Sequence, residues 1–386
     1  MSSAFNIPST VLIGAGASSE LTNQLRRLEI ERILVVSDQY LVKSGLIARL
    51  LEPLKSTEIA ATVFAGVRPD PTVQNVRDGL RLFTESAAQA VVAIGGGSPI
   101  DCAKAIAILS RNPEPLADYM GYHKIPRAGA PLMAIPTTAG TGSEVTKVAV
   151  ITDEQRNIKM MILDAHLLPS VALIDFELTM TMPAALTAHV GVDTLTHGIE
   201  AFVSRKATAM TDPIALSCVR LVSRHLVAAW DDPTNRTARE GMMLAATQGG
   251  MAFANSSVCL VHGMSRPLGA VFHIPHGLSN AMLLPCVTRF SIAGSTTKYA
   301  QVAREIGIVL EDPCDRLAAE RLVEELQRLN ERLCVPRIRD YPGIARDHFE
   351  ASLEKMAADA LASGSPANNP VVPTTADIVR LYREAW

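Results

Sequence analysis

Short apolar, β-branched runs recur through the first 180 residues: RILVVSD (32–38), ATVFAG (61–66), AVVAIGGG (90–97), PLMAIPTT (131–138) and VALIDF (171–176). Amphipathic helical stretches separate them, and this alternation predicts parallel strands joined by crossover helices. Beyond Pro183 the strand signals stop, and long Ala-, Leu- and Met-rich segments take over, the first helix opened by Pro183 itself. The polar stretch SGSPANNPVVP reads as a loop, after which Thr374 and Asp377 predict the cap of a last helix, ADIVRLYREAW. Pro267 and Pro275 are expected to prevent one continuous helix across residues 261–277. The expected fold is an α/β domain over residues 1–180 followed by an all-α domain over residues 181–386.

Composition agrees and removes several function classes. The 386 residues are too many for one ordinary core, and 48% hydrophobic against 19% charged content excludes a disordered chain. A formal net charge of -3 offers no basic surface for nucleic acid or an anionic membrane. Apolar runs such as AVVAI are far shorter than a membrane span. The opening MSSAFNIPST has neither the charged nor the apolar region of a secretory signal. Six scattered cysteines without a C-x-x-C pair read as reduced thiols, so a cytoplasmic location is expected.

Two glycine loops compete as phosphate sites. VLIGAGASSE carries Gly14, Gly16 and then Ser19 where a dinucleotide fingerprint wants a third glycine, with Asp38 at about the spacing of a ribose-binding acid. It reads equally well as a turn from an edge strand to a helix. VVAIGGGSPIDCAKAIAI runs a buried-type strand straight into Gly95, Gly96, Gly97 and Ser98, with a helix from about Pro99 and Asp101 in its first turn. Three consecutive glycines exceed the needs of a turn and favour phosphate binding at the helix start. Downstream, Thr137, Thr138, Thr141 and Ser143 in PTTAGTGSEVT offer hydroxyls for a ribose or nicotinamide amide, or for local turns.

The second half holds the metal candidates. Asp193 and His197 in GVDTLTHGIEAF stand four apart in a helical pattern, on one face and about a turn apart. Two residues make a weak signal and more ligands are needed. In FHIPH, Pro275 holds Ile274 extended, which turns His273 and His276 to opposite faces and leaves one of them free for another role.

Four blocks in order, VAIGGGSPIDCAKAIA, IPTTAGTGSEVT, GVDTLTHGIEAF and VHGMSRPLGAVFHIPHGLSNAMLLP, resemble the signature blocks of the iron-containing, or group III, alcohol dehydrogenases. The resemblance runs over essentially the whole chain and implies a dehydroquinate synthase-like architecture, with an N-terminal dinucleotide-binding domain and a helical metal-binding domain. Position by position it places metal ligands at Asp193, His197, His262 and His276, and the pyrophosphate loop at Gly96, Gly97 and Ser98, which makes the Gly14 stretch a turn. Asp38 falls on the family's ribose acid, whose charge favours NAD over NADP, and Lys159 on a lysine directed at the cofactor. The implied chemistry is hydride transfer between NAD and a small alcohol or aldehyde at a divalent ion, iron(II) before zinc, in a homodimer.

Arg266 departs from the commonest form, which has histidine there. Arginine keeps its proton near neutral pH, so a proton relay would pass to His273 or to water. Its guanidinium also suits a substrate carboxylate, which raises a hydroxy-acid or oxo-acid substrate as an alternative. Two further rivals are a maleylacetate reductase-like role and a non-redox lyase of the dehydroquinate synthase kind.

Overall fold

In the computed structural model, residues 4–156, 158–308 and 314–386 are described. They divide into two compact units, Met1–Met180 and Thr181–Trp386.

The N-terminal unit is a six-stranded parallel sheet with helices on both faces. Its strands are β1 (Thr10–Ile13), β2 (Arg32–Asp38), β3 (Ala60–Val67), β4 (Ala90–Gly95), β6 (Leu132–Pro136) and β9 (Val171–Ile174), in the order β1-β9-β6-β4-β2-β3. Between them run α1 (Leu21–Arg27), α2 (Gln39–Lys43), α3 (Leu46–Leu51), α4 (Val73–Glu85) and α5 (Gly97–Leu109). Alternate residues of a strand serve opposite faces. Leu34, Val36, Val91 and Ala93 join one buried cluster, whereas Ile33, Val35, Val92 and Ile94 join the other. Burial on both faces is why these strands read as unbroken apolar runs.

A second sheet was not anticipated. β7 (Val148–Asp153) and β8 (Ile158–Leu163) pair antiparallel, and the short β5 (Gly121–Tyr122) adds to β8. Alternating burial along β7, with every other residue only half-buried, weakens the apolar run that marked the central strands.

The C-terminal unit is helical throughout its described residues: α6 (Ala184–Val203), α7 (Asp212–Asp231), α8 (Arg236–Asn255), α9 (Leu260–Phe272), α10 (His276–Ser291), α11 (Thr296–Glu305), α12 (Asp315–Arg332), α13 (Arg346–Ala362) and α14 (Thr375–Ala385). Every residue of α6 from Gly191 to Val203 is buried, because α7, α8 and α10 pack around it. The expected cap of α14 is present, Thr374 Oγ1 accepting from the Asp377 backbone N–H while Asp377 accepts from that of Thr374. The chain does break between α9 and α10, at His273–Pro275, but Pro267 lies inside α9 without ending it. The cysteines are free thiols. No helix among the described residues is long and apolar enough to cross a membrane.

Candidate metal centre and cofactor loops

The sheet order sets the first site. From β2 the chain steps outward to β3, then returns past β2 to β4, so the loops leaving β2 and β4 sit side by side at a switch point, where parallel sheets bind ligands. Val36 pairs with Ala93, and Ser37 Oγ donates to Ile94 O at 2.8 Å, which sets Asp38 beside the glycine loop. One Asp38 oxygen caps α2 by accepting from the Leu41 backbone N–H at 2.9 Å. On the other side Thr137 N–H donates to Gly95 O at 3.0 Å, bringing the threonine loop alongside.

That closeness leaves little room beyond glycine in the loop. An added Cβ on Gly96 would stand 3.3 Å from Thr138 side-chain atoms, and one on Gly97 would stand 3.0 Å from Thr141 Cγ2. α5 begins at Gly97, two residues before Pro99, and no side chain caps its first turn. The backbone N–H groups of that turn suit an anion, and Ser98 is half-buried among them. At the competing loop, Asp175 accepts from Gly16 N–H, Ser18 N–H and Ser18 Oγ at 3.2, 3.3 and 2.6 Å. A carboxylate of the protein already fills that nest, so the Gly14 stretch is a structural turn.

Asp101 and Ser143 are engaged inside the protein. Ser143 Oγ donates to Asp101 Oδ1 at 2.7 Å, and Val150 N–H donates to Asp101 Oδ2 at 2.9 Å. Between them lies Lys104, fully buried, whose ammonium donates to Ser143 Oγ (3.0 Å), Thr146 Oγ1 (2.9 Å) and Val148 O (2.7 Å). Burial lowers Lys104 to about 8, with Asp101 and Glu144 opposing, and burial raises the Asp101 carboxyl. Lys104 went unread in the sequence because an ammonium in the middle of a helix usually faces water. Lys159, on β8, pairs with Asp70 at 2.7 Å.

The second site is built from pairs of residues one helical turn apart. Asp193 and His197 lie on α6, His262 and Arg266 on α9, and His276 and Asn280 on α10. Ligand atoms of Asp193, His262 and His276 all lie within 4.8 Å of one another. From Asp193 Oδ1, the Nε2 atoms of His262 and His276 are 3.5 and 3.9 Å away. His197 stands at the edge, its Nε2 3.8 Å from the same oxygen and its ring stacked between Phe253 and His262. At the focus sits Asn280, whose Nδ2 is 2.6 Å from Asp193 Oδ1, 3.1 Å from His262 Nε2 and 3.2 Å from His276 Nε2. An amide has two hydrogens for these three acceptors, and Asn280 Oδ1 is buried without a partner. One cation would satisfy all three acceptors, so the donor set fits a divalent metal.

Electrostatics point the same way. Burial alone would raise the Asp193 carboxyl, but His197, His276 and His262 hold it well below the usual carboxylate range. Burial disfavours a charged His262, yet its bonds to Asp193 and Glu200 lift it to about 9, so a cation binding at Nε2 would displace a proton. His276, although its side chain is 43% exposed, is pushed down by desolvation, with Asp193 opposing and the charges of His262, His197 and Arg266 adding to the fall. Asp193 is thus an anion and His276 a neutral donor. Arg266 Nη1 donates to Ser365 Oγ at 3.2 Å. His273 ends α9 with a left-handed backbone (φ 55°) and is exposed. Glu200, buried on α6 and bonded to His262 Nδ1 at 2.6 Å, was missed, as was Asn280. Each stands at helical spacing from a ligand candidate, seven residues after Asp193 and four after His276, and that spacing was the available signal.

A parallel α/β unit followed by a helical unit bearing clustered imidazoles is the dehydroquinate synthase-like architecture, and the fold places the chain in that class. Residues 8–176 match the family described as iron-containing alcohol dehydrogenase, and residues 187–386 match the C-terminal region of the same family. The chain belongs to the iron-containing alcohol dehydrogenases and is an oxidoreductase of that type. Lactaldehyde reductase of Escherichia coli K12 is 38% identical over 381 residues, 98% of each chain. The crystal structure of a 1,3-propanediol oxidoreductase superposes with TM-score 0.96 at 35% identity, covering 100% of both chains. Sulfoacetaldehyde reductase from Bifidobacterium kashiwanohense, solved in complex with NAD+, gives TM-score 0.87 at 29% identity, covering 100% of this chain and 99% of that one.

Proposed function

We propose that this oxidoreductase interconverts a small primary alcohol and its aldehyde, with NAD as hydride carrier and a divalent metal, iron(II) before zinc, held by Asp193, His197, His262 and His276. The observation that carries the reading is the convergence of three acceptors on the single Asn280 amide. When bound, the metal supplies Lewis acidity toward the alcohol or aldehyde oxygen and the nicotinamide carries the hydride. Asp193 contributes one negative charge and the imidazoles none, so the loaded site keeps net positive charge.

In the N-terminal unit, Gly96, Gly97 and Ser98 are assigned to the pyrophosphate, and Thr137, Thr138 and Thr141 to the ribose or nicotinamide side. Asp101 and Ser143 brace these loops through Lys104. The second Asp38 oxygen is assigned to the adenosine ribose, where its charge opposes a 2'-phosphate. Lys159 is assigned to the cofactor from the rim. His273, exposed at the end of α9, is assigned to proton exchange with solvent, because Arg266 cannot release its proton near neutral pH. Free thiols throughout support a cytoplasmic setting, and a homodimer is the proposed assembly.

A second reading concerns the substrate. Arg266 lies one turn beyond His262 and its charge is felt at His276, so it is placed to grip an anionic group. The sulfoacetaldehyde reductase is named for an anionic aldehyde. The test is one panel of neutral aldehydes and their ω-carboxylated analogues, assayed by NADH oxidation on chelator-stripped protein reloaded with iron(II) or zinc. Expected is metal-dependent turnover with NADH in preference to NADPH. No turnover on any member, under either metal, refutes the proposal. An Arg266→Ala variant that loses neutral and carboxylated substrates equally refutes the anion reading alone.

A further inference from the structure

Glu200 and Asp193 stand seven residues apart on α6, nearly two turns, and therefore on one face about 10 Å apart along the axis. The His262 ring, delivered by α9, spans the gap. Its Nε2 lies 3.5 Å from Asp193 Oδ1, and its Nδ1 lies 2.6 Å from Glu200 Oε2. Glu200 does more than touch the ring. Its Oε1 accepts from the Val261 backbone N–H at 2.7 Å, and its Oε2 accepts from that of Cys259 at 2.9 Å.

α9 has no capping side chain of its own at Cys259. A helix start leaves backbone N–H groups without partners, and a carboxylate there also complements the helix dipole. Glu200 supplies both from a neighbouring helix. The same carboxylate that fixes the first turn of α9 against α6 therefore also binds the side chain carried on that turn.

We infer that Glu200 is a positioning residue for the metal centre: it clamps α9 to α6 and holds the His262 imidazole with Nδ1 protonated and the Nε2 lone pair directed at the ion site. This rests on the reading that Asp193, His262 and His276 hold a cation. An ionised carboxylate accepts and never donates. With three donors converging on it, the Glu200 carboxylate leaves His262 one arrangement, in which Nδ1 carries the hydrogen. The other tautomer would set an N–H against the cation, and a ring turned over would set a C–H there and another against Glu200. Hydrogen bonding from a ligand imidazole to a carboxylate also strengthens the imidazole as a donor, and losing such a partner weakens metal affinity about 10- to 100-fold.

Glu200→Gln retains size and one acceptor but sets an NH2 against donors. Cobalt(II) affinity, measured by chelator competition on the full chain, is expected to fall about 10- to 100-fold in this variant, with altered visible cobalt bands at saturation. In a His262→Ala background the same substitution is expected to change affinity by less than about twofold, the scatter of independent sites. An equal fall in both backgrounds would show that Glu200 acts only through general packing and would overturn the inference, as would wild-type affinity in Glu200→Gln. Asp193→Ala separates the two levels. If it binds cobalt like the wild type, the metal reading itself fails; if it loses cobalt while Glu200→Gln does not, only the Glu200 inference fails. Should Glu200→Gln not fold, zinc-loaded wild-type protein is read by proton NMR. A strongly deshielded Nδ1 proton is expected, lost in His262→Asn, and its absence overturns the inference.

Discussion

Replacing Lys104 by methionine removes an ammonium from the interior of the N-terminal unit while keeping the volume of the side chain. Three bonds are lost, to Ser143 Oγ, Thr146 Oγ1 and Val148 O, together with the charge that faces Asp101 at 4.0 Å. Breaking a buried charge pair from one side costs about 3–5 kcal/mol at neutral pH. The pH dependence is the sharper test. Lys104 titrates near 10.5 unfolded and is lowered by burial to about 8 in the folded protein. Between those values the unfolded chain binds more protons than the native one, so stability rises with pH. Over the interval of roughly 2.5 units the gain is about 3 kcal/mol, and below pH 8 this group contributes no slope. Buried thiols such as Cys102, pushed up by burial, act with the opposite sign, but they are common to both proteins and cancel in the difference. The assay is urea unfolding by far-ultraviolet circular dichroism at several pH values. Tryptophan fluorescence is the control, since Trp230 and Trp386 both lie in the C-terminal unit. The stability difference between wild type and Lys104→Met is expected to widen by about 3 kcal/mol from pH 8 to 10.5. A difference that stays flat would mean that Lys104 keeps its proton across the range, and would refute the argument from burial.

Two glycine substitutions probe the sites separately. An added Cβ on Gly277 would stand 2.7 Å from His189 O and 3.0 Å from its carbonyl carbon, rigid backbone of α6. Gly277→Ala should push the first turn of α10 away and carry His276 from Asp193, and metal content after dialysis is expected to fall at least about tenfold, a cost of about 1–3 kcal/mol typical of overpacking; full occupancy would count against this packing argument. Gly97→Ala crowds Thr141 and should weaken NADH binding in a fluorescence titration while leaving cobalt affinity unchanged. Unaltered NADH affinity would remove Gly97 from the cofactor loop.

How much could be read in advance depended on whether the determining contact is local. β2 and β4 were legible because both of their faces are buried, which leaves uninterrupted apolar residues in the chain itself. The Thr374–Asp377 cap was legible because its partners are three residues apart. Asp175, which fills the Gly16 nest, lies 159 positions from it, and no spacing near Gly14 announces that carboxylate. Glu200 similarly meets Cys259, Val261 and His262 across 59 to 62 residues. The prolines were legible as a break but not as its place: the helix runs through Pro267 and ends before Pro275.

The two chemistries also demand opposite things of the backbone, which explains their division between the units. A dinucleotide needs N–H donors brought close, and the loop proposed to hold it carries glycines without side chains at the end of a parallel strand. A metal needs lone pairs held at fixed separation, and the C-terminal unit carries the proposed ligands on helices. Among the described residues the Asp193, His262 and His276 group is the convergent one, and it belongs wholly to the C-terminal unit. Helices alone do not fix their mutual distance. Gly277 lets α10 touch the backbone of α6, and Glu200 pins the start of α9 to the same helix. In the proposed site α6 is thereby the common reference for Asp193, His262 and His276, touched by α10 at Gly277 and by α9 at Glu200.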